Sequence, residues 1–130
     1  MEGMDPGSKL PSKVSVYEVS PRDGLQNESA QVATHAKVRL IEALVDAGVR
    51  RLEVGSFVAP KWVPQMADAD EVCRMIERRQ GVTYACLCPN ATGLRRAIAA
   101  NIDEIAVFAK PLTEAQVAAQ FAAAESRYGG

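Results

Sequence analysis

The chain has 130 residues, with Lys+Arg 15 against Asp+Glu 16, a single His, 48% hydrophobic and 24% charged residues. This near-neutral balance suits one globular domain and excludes a domain built mainly to hold nucleic acid, which concentrates positive charge. No apolar run approaches the roughly 20 residues of a membrane span, and the length falls well short of the ~250 residues of a complete eight-stranded (β/α) barrel.

Residues 1–12, MEGMDPGSKLPS, are rich in Gly, Pro and Ser. They lack the apolar stretch of a secretory signal and the arginine-rich character of a transit peptide, and read as a flexible leader. From residue 13 the chain alternates. Val14–Val19 has the β-branched and aromatic character of a strand, and the segment from Ser20 to Val32 is polar and turn-rich. Thr34 is placed to cap a helix reaching about Ala47, with Gly48 as its stop and Leu40, Ile41, Leu44 and Val45 as its apolar stripe. A second strand is centred on Arg51–Val54.

Asp68 and Glu71 have the spacing of a reciprocal capping box at the start of the next helix. Val72, Met75 and Ile76 are its predicted inward face, and Gly81 its end. Val82–Cys88 forms a third predicted strand, Gly93–Ala100 a short helix, and Glu104–Phe108 a fourth strand. After Pro111 the composition turns Ala-rich. Thr113 and Gln116 suggest another capping box, with Val117, Phe121, Ala124 and Tyr128 on one helical face.

The order βαβαβαβα predicts an α/β fold with a parallel sheet and right-handed crossovers. It is divided into a leader (1–12), a partial barrel-like domain of four βα units (13–110) and a helical tail (111–130). An open α/β sheet and half of a TIM barrel both fit this order. No glycine pattern of a nucleotide-binding loop is present.

In a parallel sheet the carboxyl ends of the strands share one face, where binding groups gather. That face would receive Ser20–Glu28, Gly55–Gln65, Cys88–Asn90 and Ala109–Lys110. Arg22 beside Asp23 joins a guanidinium, able to stabilise charge developing on an oxygen, to a carboxylate able to hold a hard cation. The alternative is an Asp-Gly turn with a surface ion pair. Glu53 points opposite to Leu52 and Val54, either into a site beside Arg22 or toward a covering helix or solvent. Trp62, between Pro60 and Pro64, is either a ligand-facing aromatic or a loop anchor, and the stiff flanking prolines favour packing against its own domain. Lys61 and Lys110 either attract an anion or are ordinary solvated lysines. His35, in the first turn of a helix, is expected at the surface. Cys73, Cys86 and Cys88 are odd in number and are expected to be free thiols; a C-x-C pair alone does not define a metal site.

Two segments go further. Arg22-Asp-Gly-Leu-Gln-Asn-Glu28 and Ser56-Phe-Val-Ala-Pro-Lys-Trp-Val-Pro-Gln-Met-Ala-Asp68 together resemble 3-hydroxy-3-methylglutaryl-CoA lyases, over about Val14 to Phe108. Isopropylmalate and homocitrate synthases share an Arg-Asp-Gly element but usually continue it differently. The resemblance implies a carbon–carbon lyase of leucine degradation and ketone-body metabolism, using Mg²⁺ or Mn²⁺ and an acyl-CoA substrate. It implies Asp23 as a metal ligand, Arg22 as the stabiliser of an enolate oxygen, Glu53 in upkeep of the site, and Gln26, Ser56 and Asn90 near the substrate.

The family's His-x-His ligands, a further Asn and the catalytic cysteine of a glycine-rich loop have no counterpart in this sequence. The isolated chain is therefore expected to be inactive. The competing expectations are a noncatalytic α/β fragment that binds a ligand or forms a homo-oligomer through its open sheet edges, and a related metal-dependent aldolase or synthase. The resemblance fits a bacterial cytoplasm or a mitochondrial matrix, not secretion, with neither nucleic acid nor membrane as partner.

Overall fold

The computed structural model describes residues 10–107. Helices α1 (Thr34–Asp46), α2 (Ala69–Met75) and α3 (Ala91–Ala99) alternate with strands β1 (Arg51–Ser56), β2 (Thr83–Cys88) and β3 (Glu104–Val107). The strands form a parallel sheet in the order β1-β2-β3, the arrangement expected when each crossover is a helix.

The first predicted strand is reduced to one bridge. Glu18 pairs with Leu52, donating its N–H to the Arg51 carbonyl at 3.0 Å and accepting from the Glu53 N–H at 2.8 Å. Val14 and Val16, at 77% and 67% exposure, make no ladder. The chain then leaves extended geometry at Val19 (ψ 1°) and enters a wide helical turn, Ser20–Gly24, whose Pro21 is buried. Instead of four complete βα units, the described residues thus form a small α/β unit of three strands with Glu18 at its edge. Lys110 and the predicted tail helix, with its Thr113–Gln116 capping box, lie outside the described residues.

One core cluster joins the helices to the sheet: Val38, Ile41 and Val45 of α1, Val72 and Cys73 of α2, Ala97 of α3, and Leu52, Val54, Tyr84, Cys86 and Cys88 of the strands. Each large apolar side chain so buried contributes about 1.5–3 kcal/mol. Gly48 follows α1 as its predicted stop, with φ of 108°. Gly81 does not end α2, which already gives way to extended chain at Ile76; with φ of 79° it turns the chain into β2 instead. Both angles lie in a region that costs a side chain but not glycine.

Three local expectations change. Thr34 is the first residue of α1 rather than its cap, and Asp68 precedes α2 with no side-chain cap. Both side chains bond each other instead, Thr34 Oγ1 donating to Asp68 Oδ2 at 2.7 Å. Met75 is half exposed while Cys73 takes the inward position, because α2 ends at Met75 and has too few turns to present both. In α1, Lys37 and Val38 are buried with Ile41 and Val45, so the stripe lies one turn earlier than the leucines suggested.

A bulge decides what β1 presents. Glu53 pairs with Ala85, yet Gly55 pairs with Cys86 and Ser56 with Leu87. Ala85 and Leu87 lie two apart on one face of β2, so their partners Glu53 and Ser56 share that face. In a regular strand these two residues, three apart, would point to opposite sides; the bulge at Val54 is what brings them together.

Candidate active site

The site is built where the Ser20–Gly24 turn meets β1. Asp23 N–H and Arg22 N–H both donate to the Val19 carbonyl, at 2.8 and 3.1 Å, folding the turn back over the strand end. Glu53 is buried, and Arg22 Nε donates to its Oε1. Tyr17 completes the carboxylate, its hydroxyl donating to Oε2 at 3.0 Å. A buried carboxylate is tolerable only with such partners.

Anchored by Nε, the Arg22 guanidinium directs Nη1 to Asp23 Oδ1 at 3.3 Å. The Asp23 side chain itself is 55% exposed. The arrangement is a fixed cation beside an open carboxylate. Upstream, Glu18 Oε1 accepts the Ser20 N–H at 2.9 Å, and this backbone hydrogen bond holds the Glu18 carboxyl below the ordinary glutamate range.

The other sequence-predicted residues sit as follows. Ser56, fully buried on the Glu53 face, has an Oγ that meets no partner among the described residues. The same holds for Gln26 Oε1 in the loop after the turn. A buried unpaired polar atom costs about 1–3 kcal/mol, which marks both as groups able to take up a hydrogen bond. Asn90 follows β2 and caps α3, its Oδ1 accepting the Gly93 N–H at 2.8 Å. His35 is exposed, as expected. Trp62 is not packed as predicted: it is 73% exposed. The prolines stiffen its loop outward, and Lys61 lies over the ring at 5.2 Å.

Two contributors escaped the sequence reading. Tyr17 was read only as strand character; its role depends on the register of Glu18 against β1. Lys37 stands four residues before Ile41 and eight before Val45, on the buried stripe, and that spacing was a usable signal. Its ammonium donates to the Gln65 carbonyl and, at 2.6 Å, to Asp68 Oδ1. Gln65 Nε2 in turn donates to the Glu28 carbonyl at 3.0 Å. The Arg22–Glu28 loop and the Ser56–Asp68 segment are thereby fastened to each other and to α1.

Asp23 fits a divalent cation as one hard oxygen ligand. Among the described residues no group of three or more His, Cys, Asp or Glu side chains is placed to hold a metal.

The family described as HMGL-like matches residues 13–127, and the chain belongs to it. The match runs past Phe108, where the motif resemblance was expected to end. The chain is 53% identical over 100 residues to the 3-hydroxy-3-isohexenylglutaryl-CoA/hydroxy-methylglutaryl-CoA lyase of Pseudomonas aeruginosa, covering 77% of this chain and 33% of that protein. It is 50% identical over 99 residues to the mitochondrial hydroxymethylglutaryl-CoA lyase of Macaca fascicularis, covering 76% and 30%. The crystal structure of hydroxymethylglutaryl-CoA lyase from Pseudomonas aeruginosa superposes with a TM-score of 0.74 at 52% identity, covering 76% of this chain and 33% of that one. The chain spans about a third of the length of these relatives.

Proposed function

We propose that this chain carries the enolate-stabilising and first metal-binding positions of a hydroxymethylglutaryl-CoA lyase, which divides 3-hydroxy-3-methylglutaryl-CoA into acetyl-CoA and acetoacetate. The observation that carries this reading is Arg22, fixed by buried Glu53 and set beside the open carboxylate of Asp23.

In the reaction a base takes the proton of the tertiary hydroxyl, the adjacent carbon–carbon bond breaks, its electron pair moves into the thioester as an enolate, and an acid returns a proton to the enolate carbon to give acetyl-CoA. Arg22 would stabilise the enolate oxygen. Its orientation is set beforehand by Glu53 and Tyr17, so little reorganisation is needed as charge develops. Ser56 and Gln26, each with a buried oxygen to satisfy, would hydrogen-bond the substrate, and Asn90 would border it from the end of β2. A divalent cation such as Mg²⁺ or Mn²⁺, when bound, polarises the substrate oxygens. Asp23 would be one of its ligands, the rest coming from groups outside residues 10–107. In this reading the chain on its own is inactive. The compartment follows the source of the protein: cytoplasm in a bacterium, as for the Pseudomonas relative, or mitochondrion, as for the mammalian one.

The test places residues 13–107 in the aligned third of the Pseudomonas lyase and measures acetoacetate release with Mn²⁺. Turnover is expected, with Arg22→Gln lowering kcat about a hundredfold to a thousandfold and Asp23→Ala abolishing it. A folded chimera that releases no acetoacetate, or one indifferent to Arg22→Gln, overturns the reading.

A further inference from the structure

Away from this site, α2 and β2 bring two thiols together. Cys73 and Cys86 are both buried and unbridged, with their sulfurs 3.8 Å apart. We propose that this pair is a dithiol that a peroxide converts to a disulfide, making the seam between α2 and β2 a site of reversible covalent modification.

Three observations support it besides the distance. A surface cleft of about 530 Å³ has Cys73 in its wall, together with Arg74, Arg78, Asn101 and Asp103. It brings solvent up to the Cys73 end of the pair. The two thiols are also inequivalent. A hydrogen bond from Cys86, assisted by Arg78 and Arg74, lowers the Cys73 pKa. The same hydrogen bond and burial push Cys86 up. Of the two, Cys73 borders the cleft and is the nucleophile, and Cys86, on the inner strand, is the resolving thiol. Finally, a disulfide needs sulfurs about 2.05 Å apart. β2 is held by strands on both sides, whereas α2 has seven residues and gives way to extended chain at Ile76, so α2 is the element free to close the gap.

The chemistry balances. The Cys73 thiolate attacks one peroxide oxygen, an S–O bond forms, the O–O bond breaks, and the departing hydroxide takes a proton to become water. Cys86 then gives up its proton and attacks the Cys73 sulfur. The S–S bond forms, the S–O bond breaks, and a second water leaves. The thiols lose two electrons and hydrogen peroxide gains them. Cys88 has no such partner: its thiol points to the Gly93 carbonyl at 3.8 Å, and burial raises its pKa to about 11.

The test treats the full folded chain with hydrogen peroxide, counts remaining thiols and maps tryptic peptides. The expected result is loss of two of the three thiols, a mass lower by two hydrogens, and a linked Cys73–Cys86 peptide that a dithiol reductant restores. Cys88→Ser should leave the bridge intact. Cys86→Ala should leave Cys73 as a sulfenic acid trappable by a dimedone reagent. Three thiols unchanged in folded protein, a bridge that includes Cys88, or a Cys73–Cys86 bridge formed only in denaturant each overturn the proposal.

Discussion

Two ion pairs fasten the loops of this molecule, and they differ in what they leave over. At Lys37–Asp68 every charged atom is consumed: the ammonium meets a carbonyl and a carboxylate, and Thr34 takes the second carboxylate oxygen. At Arg22–Glu53 only the inner half is consumed. Glu53 is saturated by Arg22 and Tyr17, while Asp23 stays open to solvent. The first pair is a rivet and the second a mount. A buried charge pair alone therefore says little about function; the unspent group beside it says more.

The difference can be broken first at the mount. In the chimeric lyase, Arg22→Gln should reduce acetoacetate formation about a hundredfold to a thousandfold, whereas Lys37→Met should act through stability. Equal kinetic losses, with both proteins fully folded, would erase the distinction. Next comes the rivet. Lys37→Met leaves Asp68 without its cation in a mostly buried setting, and should cost about 3 kcal/mol in urea unfolding. A cost below about 0.5 kcal/mol would mean that Gln65 and Thr34 hold the loops unaided.

Asp23→Asn sharpens the contrast from the other side. Its exposed side chain contributes little to folding, so stability should stay within about 0.5 kcal/mol of the parent while chimeric activity falls. The smallest effect concerns Glu18. Its folded pKa lies below the unfolded value, so its contribution is fully present above the ordinary glutamate pKa and fades as pH falls through the lowered one. Acid unfolding of Glu18→Gln should show a shallower loss over that window. Identical acid limbs would show that the Ser20 contact contributes nothing.

The helices and the inner strands were legible because period 3.6 and period 2 alternate cleanly between Thr34 and Val107, and Gly48 marks the stop of α1; the end of α2 at Met75, well before Gly81, was not legible. The Arg22, Asp23 and Glu53 grouping was legible too, since strand ends of a parallel sheet converge. What escaped depended on contacts between distant segments. The capping role given to Thr34 and Asp68 was a local inference, and the bond between them replaced it. The strand written into Val14–Val19 had the right residues but found a pairing partner only at Glu18. Trp62 was expected to pack because Pro60 and Pro64 stiffen its loop, but stiffness does not fix the direction in which the loop holds the ring, and it is 73% exposed.

The doubled step at Val54 has an evolutionary consequence. Below it β1 alternates with one parity, and above it with the other: Glu53 and Ser56, three apart, share a face. A saturation survey of substitutions along β1 should show tolerance for polar residues falling on odd positions up to Glu53 and on even positions from Ser56. A homologue that lost one residue here would keep nearly the same composition and hydropathy. It would also pair Gly55 with Cys86 and Ser56 with Leu87 in unbroken alternation, so Ser56 would still face the site: the geometry tolerates loss of the extra residue, but not a straightening of the strand that keeps it.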